Sequence, residues 1–261
     1  MKVQTRHVLA LTVLPGCQAM SSFPWRFGNA PAKGATDITF PIKVVEADHN
    51  VQWYFAQQFR FLNKGMGYCG LQPQDDAKGK SRIRGVFSSF TGGTTSNDTN
   101  CGDGADGGPG VSCGVIFDHD YSHKVNMVVE NGGGDKWIGK AVDATTGQET
   151  HIGSWTLPSG SGNINLGGDS GFVERFLHND QPCSQIPRIV VNFYDPTSKT
   201  CGAGNSSIGT PKEYDFCKGQ KNWTETQFAG GRTIGMGFKQ AAVVEEQTSG
   251  SGHAQDKDSS C

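Results

Sequence analysis

The chain has 261 residues and a formal net charge of −2, with charged side chains making up 18% of it. A chain this close to neutral, with no cluster of Lys and Arg, is not expected to bind nucleic acid or an anionic membrane. Glycine occurs 37 times, about twice its usual frequency of ~7%, which disfavours long helices and favours turns between short strands.

The first 19 residues have the parts of a secretory signal peptide. Lys2 and Arg6 give a positively charged start, residues 8–14 form a short apolar run, and small residues follow at 17–19. The apolar run is shorter than the ~20 residues that span a bilayer, and no second such run occurs. We therefore expect a signal peptide at residues 1–19, secretion to the extracellular space, and no membrane association.

Residues 51–61 show the clearest β pattern of the chain. Val51, Trp53 and Phe55 alternate with Gln52 and Tyr54, so the segment has one apolar and one polar face. Such a strand belongs to a sheet with one solvated side. Further strands are predicted at residues 67–72, 82–90, 111–117, 124–131, 136–143, 149–157, 171–178 and 188–194.

Glycine-rich turns separate these strands, and no segment has a sustained helical period. Many short strands without intervening helices predict an all-β antiparallel sandwich. We expect a single sandwich domain at residues 20–240, after an irregular lead-in at 20–35, and a disordered polar tail at 241–261.

Seven cysteines follow the predicted signal peptide, and most are expected to pair in an oxidising compartment. Cys101 with Cys113 is the firmest predicted pair; Cys183 with Cys217 is the second, with Cys201 as a competing partner. Neither the spacing of the cysteines nor that of the histidines indicates a zinc site. Three sequons predict glycosylation in a eukaryotic host, at Asn97, Asn205 and Asn222.

The segment CGDGADGGPGVSC, residues 101–113, places two acids and five glycines between two cysteines. Its main interpretation is a disulfide-stapled excursion between strands, with glycines that permit positive φ. Calcium bound by Asp103, Asp106 and backbone carbonyls is a second interpretation, although the closing Glu of an EF-hand is missing. Direct ligand binding by the loop is a third. No other cofactor is predicted.

Several motifs resemble, in order and spacing, a family of secreted bacterial and fungal proteins classified as a domain of unknown function. The motifs are YFAQQFRF (54–61), GYCGLQP (67–73), FSSFTGGTT (87–95), GADGGPGVSCG (104–114), VVENGGG (128–134), HIGSWTLP (151–158) and GFVERF (171–176). The resemblance covers roughly residues 35–225 and implies export, a β-rich domain and association with carbohydrate-related modules. The predicted sandwich likewise resembles a concanavalin-like jelly roll. Cys69, Cys201 and Cys261 are additions to the family pattern, so their pairing stays open.

The polar strand faces supply the candidate ligand-binding residues. These are Tyr54, Gln58, Arg60, Tyr68 and Gln72, which combine flat rings with amide and guanidinium groups. Sugar rings pack on aromatic side chains, and such polar groups satisfy sugar hydroxyls. The preferred function is therefore a secreted glycan-binding or cell-wall-associated module whose partner is a polysaccharide.

The alternative is a glycan-active enzyme. A glycoside hydrolase needs two converging carboxylates, for which Glu130 and Glu174 are the candidates, and His123 adds an acid–base group. A polysaccharide lyase needs a group that neutralises a uronate carboxylate and a Tyr or His near the α-proton. The residues of these types are Gln58, Arg60, Arg84, Tyr54 and His123. A third alternative is a toxin or host-directed protein that acts on a protein partner.

Overall fold

A computed structural model describes residues 18–177 and 181–239. It contains sixteen strands and one 3₁₀ turn at Cys183–Gln185. In chain order the strands are β1 (Gln18–Phe27), β2 (Asp37–Glu46), β3 (Trp53–Arg60), β4 (Met66–Ala77), β5 (Lys80–Ser89), β6 (Cys101–Ala105), β7 (Gly108–Asp118), β8 (Val125–Asn131), β9 (Lys136–Asp143), β10 (Glu149–Thr156), β11 (Asp169–Arg175), β12 (Ile189–Tyr194), β13 (Ser206–Ile208), β14 (Lys212–Glu213), β15 (Thr224–Phe228) and β16 (Gly231–Met236).

The strands form two antiparallel sheets. The nine-stranded sheet has the order β13-β1-β11-β3-β4-β5-β7-β6, with β14 also paired to β1. The seven-stranded sheet has the order β10-β9-β8-β2-β12-β16-β15. The predicted antiparallel β-sandwich is confirmed, and all nine strands predicted from alternation are present, with ends that differ by a few residues.

The core lies between the two sheets and is rich in aromatic rings. Trp25 of β1 packs edge-on against Phe40 of β2, with ring centroids 5.3 Å apart. Phe87 of β5 stacks on Trp155 of β10 at 4.5 Å. Because each of these contacts joins one sheet to the other, the inward faces of both sheets are fixed against each other.

Residues 20–27 correct the predicted irregular lead-in. They lie in β1, which is bordered by β11 on one side and by β13 and β14 on the other. Phe23, Trp25 and Phe27 are buried at alternate positions. The short segment around Pro24 obscured this period of two in the sequence. Residues 1–17 of the predicted signal peptide and the predicted tail at 241–261 lie outside the described residues.

Both predicted disulfides are present, Cys101–Cys113 and Cys183–Cys217. Cys69 is a buried free thiol in the core, and Cys201 is an exposed free thiol. Cys261 lies outside the described residues. Among the residues described here, no helix is long and apolar enough to cross a membrane.

Candidate functional site

The five residues predicted to bind ligand lie on one surface. We call it the outer face, meaning the side of the nine-stranded sheet that points away from the seven-stranded sheet. Because side chains alternate along a strand, Trp53 and Phe55 of β3 enter the core, whereas Tyr54, Gln58 and Arg60 point outwards. Tyr68 and Gln72 project from the same side of β4, where Tyr68 pairs with Gln58. The structure therefore brings the five side chains together on two adjacent strands.

Strand register arranges the outer-face side chains in rows across the strands. The first row is Gln58, Tyr68, Ser88 and Ser112; the second is Phe172, Ala56, Gly70, Val86 and Gly114; the third is Glu174, Tyr54, Gln72, Arg84 and Ile116. Adjacent strands lie ~4.8 Å apart, so each row spans four or five strands. Small side chains occupy most of the middle row, which leaves room for the larger residues on either side of it.

Aromatic rings fill the centre of the outer face. The Tyr54 ring lies 5.4 Å from Tyr68 and 5.9 Å from Phe172, and Tyr68 lies 4.5 Å from Phe90. Tyr54 is only 3% exposed beneath these neighbours, and Gln72 is also buried. This differs from the expectation of an exposed Tyr54, because the rings of Tyr68 and Phe172 pack against it. Tyr68, Phe90 and Phe172 are half-buried and present the accessible aromatic surface.

The Tyr54 hydroxyl is buried, and none of the described groups hydrogen-bonds with it. Burial raises the pKa of Tyr54 well above its usual value, and the nearby Tyr68, Cys69, Asp106 and Glu174 raise it further. The hydroxyl therefore keeps its proton at any physiological pH. It is a hydrogen-bond donor held among aromatic rings.

Gln58 and Arg60 share one acidic partner, Asp169. The Gln58 amide nitrogen donates to Asp169 Oδ1 at 2.8 Å, and Arg60 Nε donates to Asp169 Oδ2 at 3.0 Å. The Asp169 side chain is 5% exposed, whereas that of Arg60 is 57% exposed. This carboxylate fixes the orientation of both predicted ligand-binding groups at one end of the outer face.

Residues 101–113 form a disulfide-stapled hairpin, as the main interpretation predicted. β6 and β7 pair at the sheet edge, and Cys101 stands directly opposite Cys113. Asp106 and Gly107 form the two-residue turn with φ values of 47° and 74°, the left-handed combination that type I′ hairpins require. Asp106 Oδ2 accepts a 2.5 Å hydrogen bond from the Tyr68 hydroxyl, so the hairpin touches the outer face.

Calcium binding by Asp103, Asp106 and backbone carbonyls stays a prediction. No group of three or more His, Cys, Asp or Glu side chains that could hold a metal ion occurs in residues 18–177 and 181–239. Asp103 and Asp106 are both exposed, and Asp106 is engaged by Tyr68. The glycines of this segment serve the turn.

The three candidate catalytic residues do not converge, which corrects the predicted carboxylate pair. Glu174 lies on the outer face next to Tyr54. Glu130 points to solvent from β8 in the other sheet, where it forms a 2.6 Å ion pair with Lys140. Because the two glutamates lie on opposite sides of the sandwich, they cannot act on one bond. The alternation in each strand indicates which side chains share a face, but it does not indicate to which sheet the strand belongs.

His123 lies in a separate cleft of about 510 Å³ beside the β7–β8 loop. Its Nδ1 lies 2.7 Å from Asp143 Oδ2, and Asp143 Oδ1 accepts hydrogen bonds from the backbone N–H groups of Thr145 and Thr146. Burial alone would raise the pKa of Asp143, but these hydrogen bonds and His123 outweigh it and lower the pKa to about 2. Asp143 thus links His123 to the turn at Thr145 and Thr146 through hydrogen bonds.

Two features of the outer face were not predicted from the sequence. Phe172 joins Tyr54 and Tyr68 because β11 pairs with β3, a contact between residues more than 100 positions apart. Asp106 reaches Tyr68 from the sheet edge. The alternation in GFVERF marks Phe172 and Glu174 as side chains of one strand face, but alternation cannot identify the neighbouring strand.

The sequence matches no protein-family model and no curated protein. Among solved structures, it is similar to scytalido-glutamic peptidase with a transition state analog inhibitor, at a TM-score of 0.43 and 10% identity over 85% of this chain and 100% of that chain. It is also similar to SCP-B, a member of the Eqolisin family of peptidases, at a TM-score of 0.39 and 10% identity with the same coverage. Similarity at this level carries no argument about the activity of this chain.

Proposed function

We propose that this chain is a secreted glycan-binding protein and that its outer face is the contact surface for an extracellular polysaccharide. The observation that carries the proposal is the group of rings at the centre of that face. Tyr68, Phe90 and Phe172 are half-buried, and Tyr68 contacts both other rings, so each ring is held in place and still partly accessible.

The chemistry around the rings suits a sugar chain. The C–H faces of a pyranose pack on aromatic surfaces, and amide, guanidinium and hydroxyl groups bind its hydroxyls. Gln58 and Arg60, both oriented by Asp169, lie at one end of the outer face, and Arg84 and Ser112 lie towards the other. A polymer that crosses the strands would meet polar groups on both sides of the aromatic centre.

Exposed sequons are consistent with passage through a secretory pathway. Asn97, Asn205 and Asn222 are all exposed, as an acceptor for a bulky glycan must be. The two disulfides also fit an oxidising compartment. Mass spectrometry of the protein secreted from a eukaryotic host, before and after glycosidase treatment, tests glycosylation at these three positions.

Depletion from solution onto insoluble plant and fungal polysaccharides tests binding and the choice of face. Tyr68→Ala and Phe172→Ala should each weaken binding about tenfold or more, because each removes a ring at the centre of the site. Tyr194→Ala is the matched control, since Tyr194 is a half-buried aromatic on the seven-stranded sheet that packs on Phe228. Equal binding by all four proteins would refute this face, and binding to a protein partner alone would refute the glycan proposal.

Glycan hydrolysis is a second candidate function, favoured by one observation. Glu174 stands opposite Tyr54 on the neighbouring strand, and Asp106 accepts a hydrogen bond from Tyr68, so two carboxylates lie near the aromatic centre. This pair replaces Glu130 and Glu174 as the acid candidates, since hydrolysis requires two carboxyl groups on one side of the substrate. Mass spectrometry of the soluble fraction would show oligosaccharides that have gained water if hydrolysis occurs. Glu174→Gln should abolish them, and their absence with wild-type protein would leave binding as the function.

A further inference from the structure

Arg84 has no acidic partner among the described residues, in contrast to three other arginines of this fold. Arg60, Arg188 and Arg232 each form an ion pair with an Asp or Glu. Arg84 is half-buried on β5, and none of the carboxylates in the described residues forms an ion pair with it. Its Nη1 instead donates to the neutral amide oxygen of Gln72 at 3.3 Å. A partly desolvated guanidinium without a counter-charge attracts an anion.

Gly114 allows the guanidinium to lie on the outer face. A Cβ at position 114 would lie 2.5 Å from Arg84 Nη2 and 2.6 Å from Nε. Any other residue would therefore push the guanidinium away from the middle row of the sheet. Because Gly114 of β7 has no side chain, the Arg84 guanidinium can lie against it on the outer face, with its donors beside Gln72.

Glu174 and Arg84 lie far apart on the outer face. Glu174 stands in the same cross-strand row as Arg84 but three strands away, a separation of about 14 Å at the usual strand spacing. An anionic group is therefore repelled near Glu174 and attracted near Arg84. Ser112, half-buried on β7, lies beyond Gly114 from Arg84, and its hydroxyl is hydrogen-bonded to that of Ser88.

We infer that Arg84, supported by Gln72 and placed by Gly114, binds the carboxylate of a uronic acid, so that the polysaccharide recognised by the outer face is acidic. This inference rests on the proposed function and names its ligand class. A planar carboxylate matches the fork of a guanidinium and forms short, charge-assisted hydrogen bonds. The aromatic centre then holds the neighbouring sugar rings.

Calorimetric titration of the full chain with polygalacturonan, and with the same polymer after reduction of its carboxyl groups, tests the inference. Wild-type protein should bind the acidic polymer about tenfold to a hundredfold more tightly at constant ionic strength. Arg84→Gln should remove this preference, so that the variant binds both polymers with similar affinity. Arg26→Gln, which removes an exposed guanidinium from β1 four strands away, should keep the preference.

Gly114→Ala separates position from charge, because it keeps the guanidinium but displaces it. If Gly114→Ala loses the preference for the acidic polymer but still unfolds cooperatively on heating, the result would support a carboxylate site that depends on the position of the guanidinium. Equal affinity of the wild type for both polymers would overturn the inference while leaving glycan binding intact. A stronger preference for a sulfated polymer would overturn the carboxylate assignment. Failure to bind any polymer would refute the proposed function together with this inference.

Discussion

Tyr54 carries a hydroxyl that the fold does not satisfy. It is buried among rings, and no described group hydrogen-bonds with it. The neighbouring Tyr68 hydroxyl, in contrast, donates to the exposed carboxylate of Asp106. Of these two neighbouring tyrosines, Tyr68 therefore has a hydrogen-bonded hydroxyl and Tyr54, within the described part of the chain, does not.

Replacing each tyrosine by phenylalanine should show this difference. Tyr54→Phe removes an unpartnered buried hydroxyl, so the free energy of unfolding should stay constant or rise by about 1 kcal/mol. Tyr68→Phe removes a hydrogen bond to a solvated carboxylate and should lower it by about 1 kcal/mol or less. Urea unfolding at neutral pH measures both values. Destabilisation of more than about 1 kcal/mol by Tyr54→Phe would show that the hydroxyl has a partner.

Asp143 should contribute a pH-dependent part of the stability. Its pKa in the folded state is lowered to about 2, below the ~3.9 of an unfolded Asp. A depressed pKa stabilises the fold above the unfolded value, so the contribution is present above about pH 4 and is lost as the pH falls to about 2.

Asp143→Asn should therefore be less stable than the wild type at pH 6 by at most about 1 kcal/mol, because the carboxylate is partly solvated. The difference should shrink as the pH falls from 6 to 2. Urea unfolding at pH 6, 4 and 2 measures it, with the exposed Asp103→Asn as control. A difference that is the same at every pH would contradict the assigned role of the carboxylate.

Among the secondary-structure elements, the β6–β7 hairpin contains a disulfide bond and also contacts the proposed binding surface. The Cys101–Cys113 disulfide joins opposed residues, and the turn beyond it carries Asp106 to Tyr68. The hairpin lies at one edge of the nine-stranded sheet, where β7 pairs with β5. We expect the disulfide to order both the edge and the position of Asp106.

Replacing Cys101 and Cys113 by serine should lower the free energy of unfolding by about 2–3 kcal/mol, the size expected for a loop of this length. It should also weaken polysaccharide binding, because Asp106 no longer orients Tyr68. The Cys183/Cys217 double serine variant is the control that should lose stability but keep binding. Calorimetry of unfolding and of binding measures both effects, and equal loss of binding in the two variants would contradict the role of the hairpin.

The sequence predicted elements well where one face of a strand is apolar. Residues 51–61 alternate clearly, and β3 buries Trp53, Phe55 and Phe59 as the pattern predicted. β1 was missed because the amino-terminal residues also resembled a signal peptide and its cleavage region. The pairing of β11 with β3 depends on packing between distant segments, which alternation within one strand does not encode.

For the whole molecule, pairing within neighbouring segments could be predicted for the site residues, whereas pairing between distant segments could not. Tyr54, Gln58, Arg60, Tyr68 and Gln72 were brought together correctly because β3 and β4 are consecutive strands joined by a short turn. Glu130 and Glu174 were paired wrongly because their relative position depends on the assignment of β8 and β11 to different sheets. Local pairing could be predicted from the sequence, and the layer of the sandwich could not.

Chemical-shift mapping by NMR with oligogalacturonate tests most directly whether the outer face binds glycan. Adding the oligosaccharide to isotopically labelled protein should shift the resonances of Ala56, Tyr68, Val86, Gly114 and Phe172, which share one surface on five strands. Resonances of Val128 and Tyr194, on the seven-stranded sheet, should stay unchanged. Shifts confined to the seven-stranded sheet or to the His123 cleft, or no shifts at all, would contradict the proposed binding surface.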